Sequence, residues 1–164
     1  MVLSKQLGVF LNFVHNRFKQ TINTAFSGGG YDITAEQFLL MDTLWTEGSL
    51  SQQHIADIML KDKNSVVKLV DSLEEKKLVR RVNSPDDRRR NLIKVTAKAE
   101  RIKEDVTDIA LRAVEKTTAG ISDEDMQTFI SVLDRMAQNM DKKVDLLGMA
   151  EKFPTRPVKL EFNL

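Results

Sequence analysis

Three consecutive arginines, Arg88, Arg89 and Arg90, follow directly on two acids, Asp86 and Asp87, and apolar residues resume at Leu92, Ile93 and Val95. Adjacent guanidinium groups repel one another, so a connection that only has to turn gains nothing from them. What they offer is a set of planar, permanently charged forks that fit phosphate oxygens. From Lys76 to Lys103, eleven Lys/Arg stand against three acids, a local +8 in a chain of net charge +1, which leaves −7 on the remainder. A basic segment in an acidic frame is the footprint of a surface that faces a polyanion; the alternative is a solvated face.

Other chemistry has little to work with. Zero cysteines remove disulfides, thiolate metal sites and cysteine redox sensing, and with two histidines a metal site would need carboxylates from distant segments. His15, on an apolar helix, reads as packed or interfacial, and His54 as a capping or solvent-facing residue. The Gly28–Gly30 run lacks the lysine and the preceding strand of a phosphate loop, and no serine stands in a nucleophile elbow. The sequence predicts no catalysis, no metal and no cofactor.

The basic tip must be held by its neighbours. "LVRRVN" (78–83) and "NLIKV" (91–95) read as strands, and the seven residues between them, Ser84 to Arg90, exceed what a tight hairpin needs. Upstream, Asp62 can cap a helix to about Lys76, with Val66, Val70 and Leu73 inward and Lys63, Asn64, Val67, Lys68 and Asp71 outward. Ser51 can cap a shorter helix before it, carrying Ile55, Ala56, Ile58 and Met59. Two helices, a brief turn and a following ribbon make a winged helix-turn-helix, with 84–90 as the wing.

Around this reader lie longer helices. Leu3, Leu7, Phe10, Leu11, Val14, Phe18, Ile22 and Phe26 recur at threes and fours over residues 3 to 26, and Gly28–Gly30 end the run. Thr34 and Gln37 form a capping box for a helix to about Thr46, whose buried face is Phe38, Leu39, Met41, Leu44 and Trp45 and whose end is Gly48. Thr96 can cap a helix to about Thr118, with Ala99, Ile102, Val106, Ile109 and Ala113 on one face. At about 1.5 Å per residue it would run roughly 35 Å, more than a small reader requires. After Gly120, Ser122 caps a sixth helix with the stripe Phe129, Ile130, Leu133, Met136 and Met140. The first, fifth and sixth helices thus have apolar surface to spare, which predicts a homodimer in which they interlock; the alternative is a monomer with a larger core.

The fold class is therefore mainly α: a winged helix-turn-helix with a two-stranded β wing and long N- and C-terminal dimerisation helices. Residues 32–103 form the DNA-binding region, 1–31 and 104–143 the dimerisation region, and 144–164 a tail of unknown role whose Pro154 and Pro157 suggest an extended course. No apolar run approaches the roughly 18 residues needed to span a bilayer, and the N-terminus lacks the order of a secretion signal. The sequence predicts a cytoplasmic protein without a membrane partner.

Double-stranded DNA is the expected polyanion. Arginine enters a narrow minor groove well, so Arg88, Arg89 and Arg90 can place one side chain there and the others on phosphates. In the major groove Asn64 and Ser65 can meet base edges, Val67 a thymine methyl, and Lys68 guanine or phosphate; Ser65 can instead be used up in capping. Ser51, Gln52, Gln53, Lys63, Arg80 and Arg81 are phosphate candidates. Phe13, Phe38, Met41, Trp45 and Ile109 could line a pocket for a small aromatic or lipophilic effector, although such stripes are more often core. Trp45 stands out because its N–H needs a partner.

The strings "ITAEQFLLMDTL", "LSQQHIADIMLKDKNSVVKLVDSLEEKKLVRRVNSPDDRRRNLIKVTAKAE" and "ISDEDMQTFISVLDRM" resemble the MarR family of bacterial transcriptional regulators, over about residues 1 to 143. The resemblance implies a triangular homodimer with two winged-helix lobes on an operator palindrome, a repressor released by a small molecule. It also implies that Asp87 pairs with Arg89 to steady the wing tip. Two positions depart from the family pattern: Lys77, where glycine commonly precedes the first wing strand, and Ala99, where glycine often follows the second. Lys77 predicts an altered helix end. A different class of function, a winged-helix protein-interaction module without sequence-specific DNA binding, is the competing expectation.

Overall fold

The computed structural model describes residues 2–85 and 91–148. In chain order these form α1 (Val2–Gly28), α2 (Ala35–Glu47), β1 (Leu50–Ser51), α3 (Gln52–Ile58), α4 (Lys63–Glu75), β2 (Val79–Asn83), β3 (Asn91–Val95), α5 (Ala97–Thr118) and α6 (Asp123–Met140). Five helices begin at side chains that satisfy their first free N–H groups. At α2, the Gln37 N–H donates to Thr34 Oγ1 at 3.2 Å and the Thr34 N–H donates to Gln37 Oε1 at 3.1 Å, a reciprocal capping box. Ser51, Asp62, Thr96 and Ser122 cap α3, α4, α5 and α6.

Both helices of the helix-turn-helix end in the same way. The Leu78 N–H reaches back to the Leu73 carbonyl and the Lys77 N–H to the Glu74 carbonyl, each at 2.9 Å. At the end of α3, Lys61 donates to Ala56 (3.0 Å) and Leu60 to Asp57 (3.4 Å). The residue at the centre of each turn is left-handed and is not glycine: Leu60 has φ 51° and Lys77 φ 59°. The altered helix end expected at Lys77 is therefore not found. The two carbonyl bonds and the start of β2 at Val79 dictate the exit, and lysine bears the steric cost that glycine would avoid.

The chain divides into two compact units, Met1–Ala119 and Gly120–Leu164. In the first, Val66, Val70 and Leu73 of α4 are fully buried with Ile55, Leu40, Met41, Val79 and Ile93. Phe26 of α1 and Val106 of α5 join the same core, so the long helices and the reader share one apolar interior. Within α2 the expected face is shifted: Leu40 is buried and Leu39 is exposed. Four consecutive apolar residues, Phe38 to Met41, leave the helical phase open in sequence, and the core selects Leu40. Gly29 allows α1 to close on α5, because a Cβ there would stand 2.6 Å from Ile109 Cδ1.

The sheet has three strands rather than two, antiparallel in the order β1-β3-β2. Arg81 lies opposite Ile93 and Asn83 opposite Asn91 in the ribbon, while Leu50 pairs with Ile93 and Ser51 with Leu92 on the other edge. In the second unit, α6 exposes Phe129, Ile130, Val132 and Met140. Its Asp134 is buried and accepts from Gln138 Nε2 and from the Leu146 N–H, each at 2.8 Å, which folds the segment after the helix back on it. Most of the expected extended tail, including Pro154 and Pro157, lies outside the described residues. Among the described residues no helix is long and apolar enough to cross a membrane.

Relieving the strain at Lys77 is expected to stabilise the fold. Lys77→Gly should raise stability by about 0.5–1 kcal/mol, the left-handed penalty less the entropy glycine adds to the unfolded chain. Thermal unfolding of the two proteins measures it, and a Tm that falls would contradict the reading.

Candidate nucleic-acid interface

The site is built outward from α4. Because its inward stripe is fixed by Val66, Val70 and Leu73, the helical period turns Lys63, Asn64 and Lys68 to the exposed side. Lys63 and Lys68 make no ion pair among the described residues. Val67 is half-buried beside them. Ser65 is used for capping: its N–H donates to Asp62 Oδ1 at 2.9 Å and its hydroxyl to Asp62 Oδ2 at 2.5 Å. The Ser65 hydroxyl and N–H hold the Asp62 carboxyl below its usual range, so the cap is ionised at neutral pH.

Next to this helix lies an open groove of about 730 Å³ lined by Ser51, Gln52, Gln53, His54, Asp57, Lys63 and Asn91. The α3 cap sits at its rim, with the His54 N–H donating to Ser51 Oγ at 3.2 Å. Gln53 Nε2 donates to Asp57 Oδ1 at 2.9 Å, and Gln52 Nε2 is buried without a hydrogen-bond partner among the described residues. His54 and Asn91 were missed as candidates from sequence. Asn91 reaches the groove only because β3 pairs with β1, and no local signal announces that pairing.

The two arginines of β2 have opposite surroundings. Arg80 is exposed and unpaired among the described residues. Arg81 turns back onto α4, where its guanidinium pairs with Asp71 at 2.5 Å and with Glu74, and its backbone N–H donates to Glu74 Oε1 at 3.1 Å. The hydrogen bond that Arg81 donates to Asp71 raises the Arg81 pKa further above its ordinary value, with both carboxylates adding charge. Arg81 thus fastens the root of the wing to the helix. Asp87, Arg88, Arg89 and Arg90 lie outside the described residues.

Four of the five pocket candidates, Phe38, Met41, Trp45 and Ile109, belong to or pack against one core, and Phe13 is exposed. Phe38 and Trp45 meet edge to face at 6.4 Å, but Met41 is wholly buried in the core, Ile109 packs against that core, and Phe13 is 61% exposed beside Arg17. Around Trp45 the polar surroundings are unusual. Its indole N–H is buried without a partner among the described residues, the Lys103 ammonium lies 5.6 Å over its ring, and burial raises the pKa of the neighbouring Asp42 carboxyl against the pull of Lys103. Among the described residues no cluster of His, Asp or Glu could hold a metal ion.

The family model for the MarR family matches residues 33–90, which run from the start of α2 through the wing. A protein of Thauera aromatica described as a transcriptional regulatory protein for the hcr operon is 30% identical over 119 residues, covering 73% of this chain and 70% of its own length. The chain belongs to the MarR family. Solved MarR-family folds agree. MarR of E. coli in complex with operator DNA matches with a TM-score of 0.74 at 20% identity, over 83% of this chain and 98% of that one. The PcaV regulator of Streptomyces coelicolor, solved with its natural ligand, matches with a TM-score of 0.75 at 19% identity, over 85% and 96%. This MarR-family chain is a transcriptional regulator with a DNA-binding winged helix, and not an enzyme.

The contrast on β2 can be measured. Arg81→Met should lower stability by on the order of 1 kcal/mol, since two carboxylates lose their partner, while Arg80→Met should leave the Tm unchanged. Equal Tm values for both variants would remove Arg81 from its bracing role.

Proposed function

We propose that the chain acts as a homodimer on a palindromic DNA operator, represses transcription there, and is released by a small aromatic or lipophilic effector. The observation that carries the DNA part is the sidedness of α4: three apolar residues bury one face completely and leave Lys63, Asn64 and Lys68 exposed on the other. A helix held this way can lie in a major groove with Asn64 and Lys68 on base edges and Val67 against a thymine methyl. Ser51, Gln52, Gln53 and Lys63, with His54 and Asn91 added, form a phosphate cradle beside it. Arg80 is the phosphate donor of β2. Arg81, committed to two carboxylates, contributes by holding the wing, and Ser65 by capping. In this reading Arg88, Arg89 and Arg90 serve the minor groove and flanking phosphates, the role that the family resemblance implies for them and for Asp87.

The homodimer rests on the N-terminal half of α1, where Val9, Phe10, Phe13 and Val14 are all more than half exposed in the single chain. Such a contiguous apolar face is stable in water only when covered. For effector release, the unpartnered Trp45 N–H, the adjacent Phe38 and the Lys103 cation favour an aromatic ligand bearing an acceptor. The solved PcaV regulator is itself bound to a natural ligand.

Selection of duplexes from a random-sequence pool tests the operator directly. The enriched sites should show inverted symmetry, and affinity should fall steeply with salt; a protein-interaction module would give neither. Arg88→Ala or Arg89→Ala should weaken binding to the enriched site, and the arginine that enters the minor groove should also lose A·T preference at its flanks. Unchanged binding in both variants would refute the wing assignment. Phe10→Glu should convert a dimer to a monomer in sedimentation equilibrium, and a persisting dimer would place the interface elsewhere.

A further inference from the structure

We infer that Gln37 is a positioning residue for the reading helix, fixing the rotation of α4 through Ser72 and Lys76. A capping glutamine needs only one bond, to the N–H at the start of its helix, and is usually at the surface. Gln37 is 4% exposed, and its amide does more. Nε2 donates to Ser72 Oγ at 2.9 Å, on the flank of α4 four residues beyond Lys68. Oε1, already accepting from the Thr34 N–H, also accepts from Lys76 Nζ at 3.2 Å. Lys76, which caps the end of α4 before the left-handed Lys77, donates as well to the Asp32 carbonyl at 2.7 Å and pairs with the Asp32 carboxylate at 3.3 Å. One buried amide therefore joins the start of α2 to two points on the second half of α4.

These bonds supply what the apolar stripe lacks. Contacts of Val66, Val70 and Leu73 set how deep α4 sits, but dispersion and burial have little direction, so they tolerate a roll or a tilt. A hydrogen bond near 2.9 Å does not. Asn64 lies eight residues before Ser72, about 12 Å along the helix, so a tilt of about 10° at the anchor moves Asn64 by about 2 Å. A shift of that size loses a bidentate contact to a base edge while leaving diffuse phosphate attraction almost intact. The cap at Thr34 alone accounts for none of the α4 contacts.

The inference rests on α4 reading DNA, and its test separates the two ideas. Wild-type protein and variants are titrated against a duplex enriched by wild-type protein from a random pool, and against a scrambled duplex of the same length. Ser72→Ala should weaken binding to the enriched duplex by roughly fivefold to tenfold, with unchanged affinity for the scrambled one and an unchanged salt slope. Ser72→Thr, which keeps the hydroxyl, should restore discrimination. Gln37→Met should reproduce the loss, and the double variant Gln37→Met with Ser72→Ala should lose no more than either alone. Should Gln37→Met fail to fold, Ser72→Ala and its threonine rescue still decide. Equal losses on both duplexes, or no loss on either, would overturn the positioning role while leaving the operator reading in place. If wild-type protein enriches no sequence, both readings fall together.

Discussion

The helix α4 is held to the rest of the fold by one narrow apolar stripe, and its other side is left open. Val66, Val70 and Leu73 are fully buried and Leu69 packs partly against the same core, while the outward positions of α4 must stay compatible with water or with a ligand. The apolar gain from three such side chains is on the order of 5 kcal/mol, ample for attachment but poor at setting angle. Orientation is supplied by polar ties at the margins of the stripe. Arg81 grips Asp71 and Glu74 from the wing side, Gln37 grips Ser72 and Lys76 from α2, and Asp62 closes the N-terminus with two bonds from Ser65. Of these, Arg81 reads in sequence as a phosphate contact, while Gln37 and Asp62 read only as helix caps.

Helix starts were legible in the sequence because a cap is a local event. Thr34, Ser51, Asp62, Thr96 and Ser122 all cap the helices expected of them, and the inward triad of α4 followed from its period. What was not legible depended on distant partners. β1 is two residues long and exists only because β3 lies beside it, so no window of sequence reveals it. The exchange of Leu39 for Leu40 in the core turns on a helical phase that four apolar residues in a row do not define. Charge type likewise says nothing of allegiance: Arg80 and Arg81 read alike in the chain, yet the strand's alternation sends one to the surface and the other to a pair of carboxylates.

The ends of α3 and α4 show how far a fold can impose its geometry on an unsuited residue. Leucine and lysine both accept a left-handed conformation because two backbone hydrogen bonds and the following chain leave no alternative. In a MarR-family regulator this matters at the second turn above all, since Lys77 separates α4 from the strand that leads to the wing. The Thr96 hydroxyl donates to the Lys77 carbonyl at 2.8 Å, so the same junction is also stitched to the start of α5. Reader, wing and long helix meet at one strained residue.

Ser51 belongs to two elements at once. It is the last residue of β1, paired with Leu92, and the cap whose hydroxyl oxygen receives the His54 N–H at the start of α3. The edge strand β1 and the helix α3 consequently meet at a single residue. The strand pairing runs through the backbone of Ser51 and the cap through its side chain, so replacing the side chain alone would leave the first turn of α3 unsealed while the pairing with β3 stayed intact.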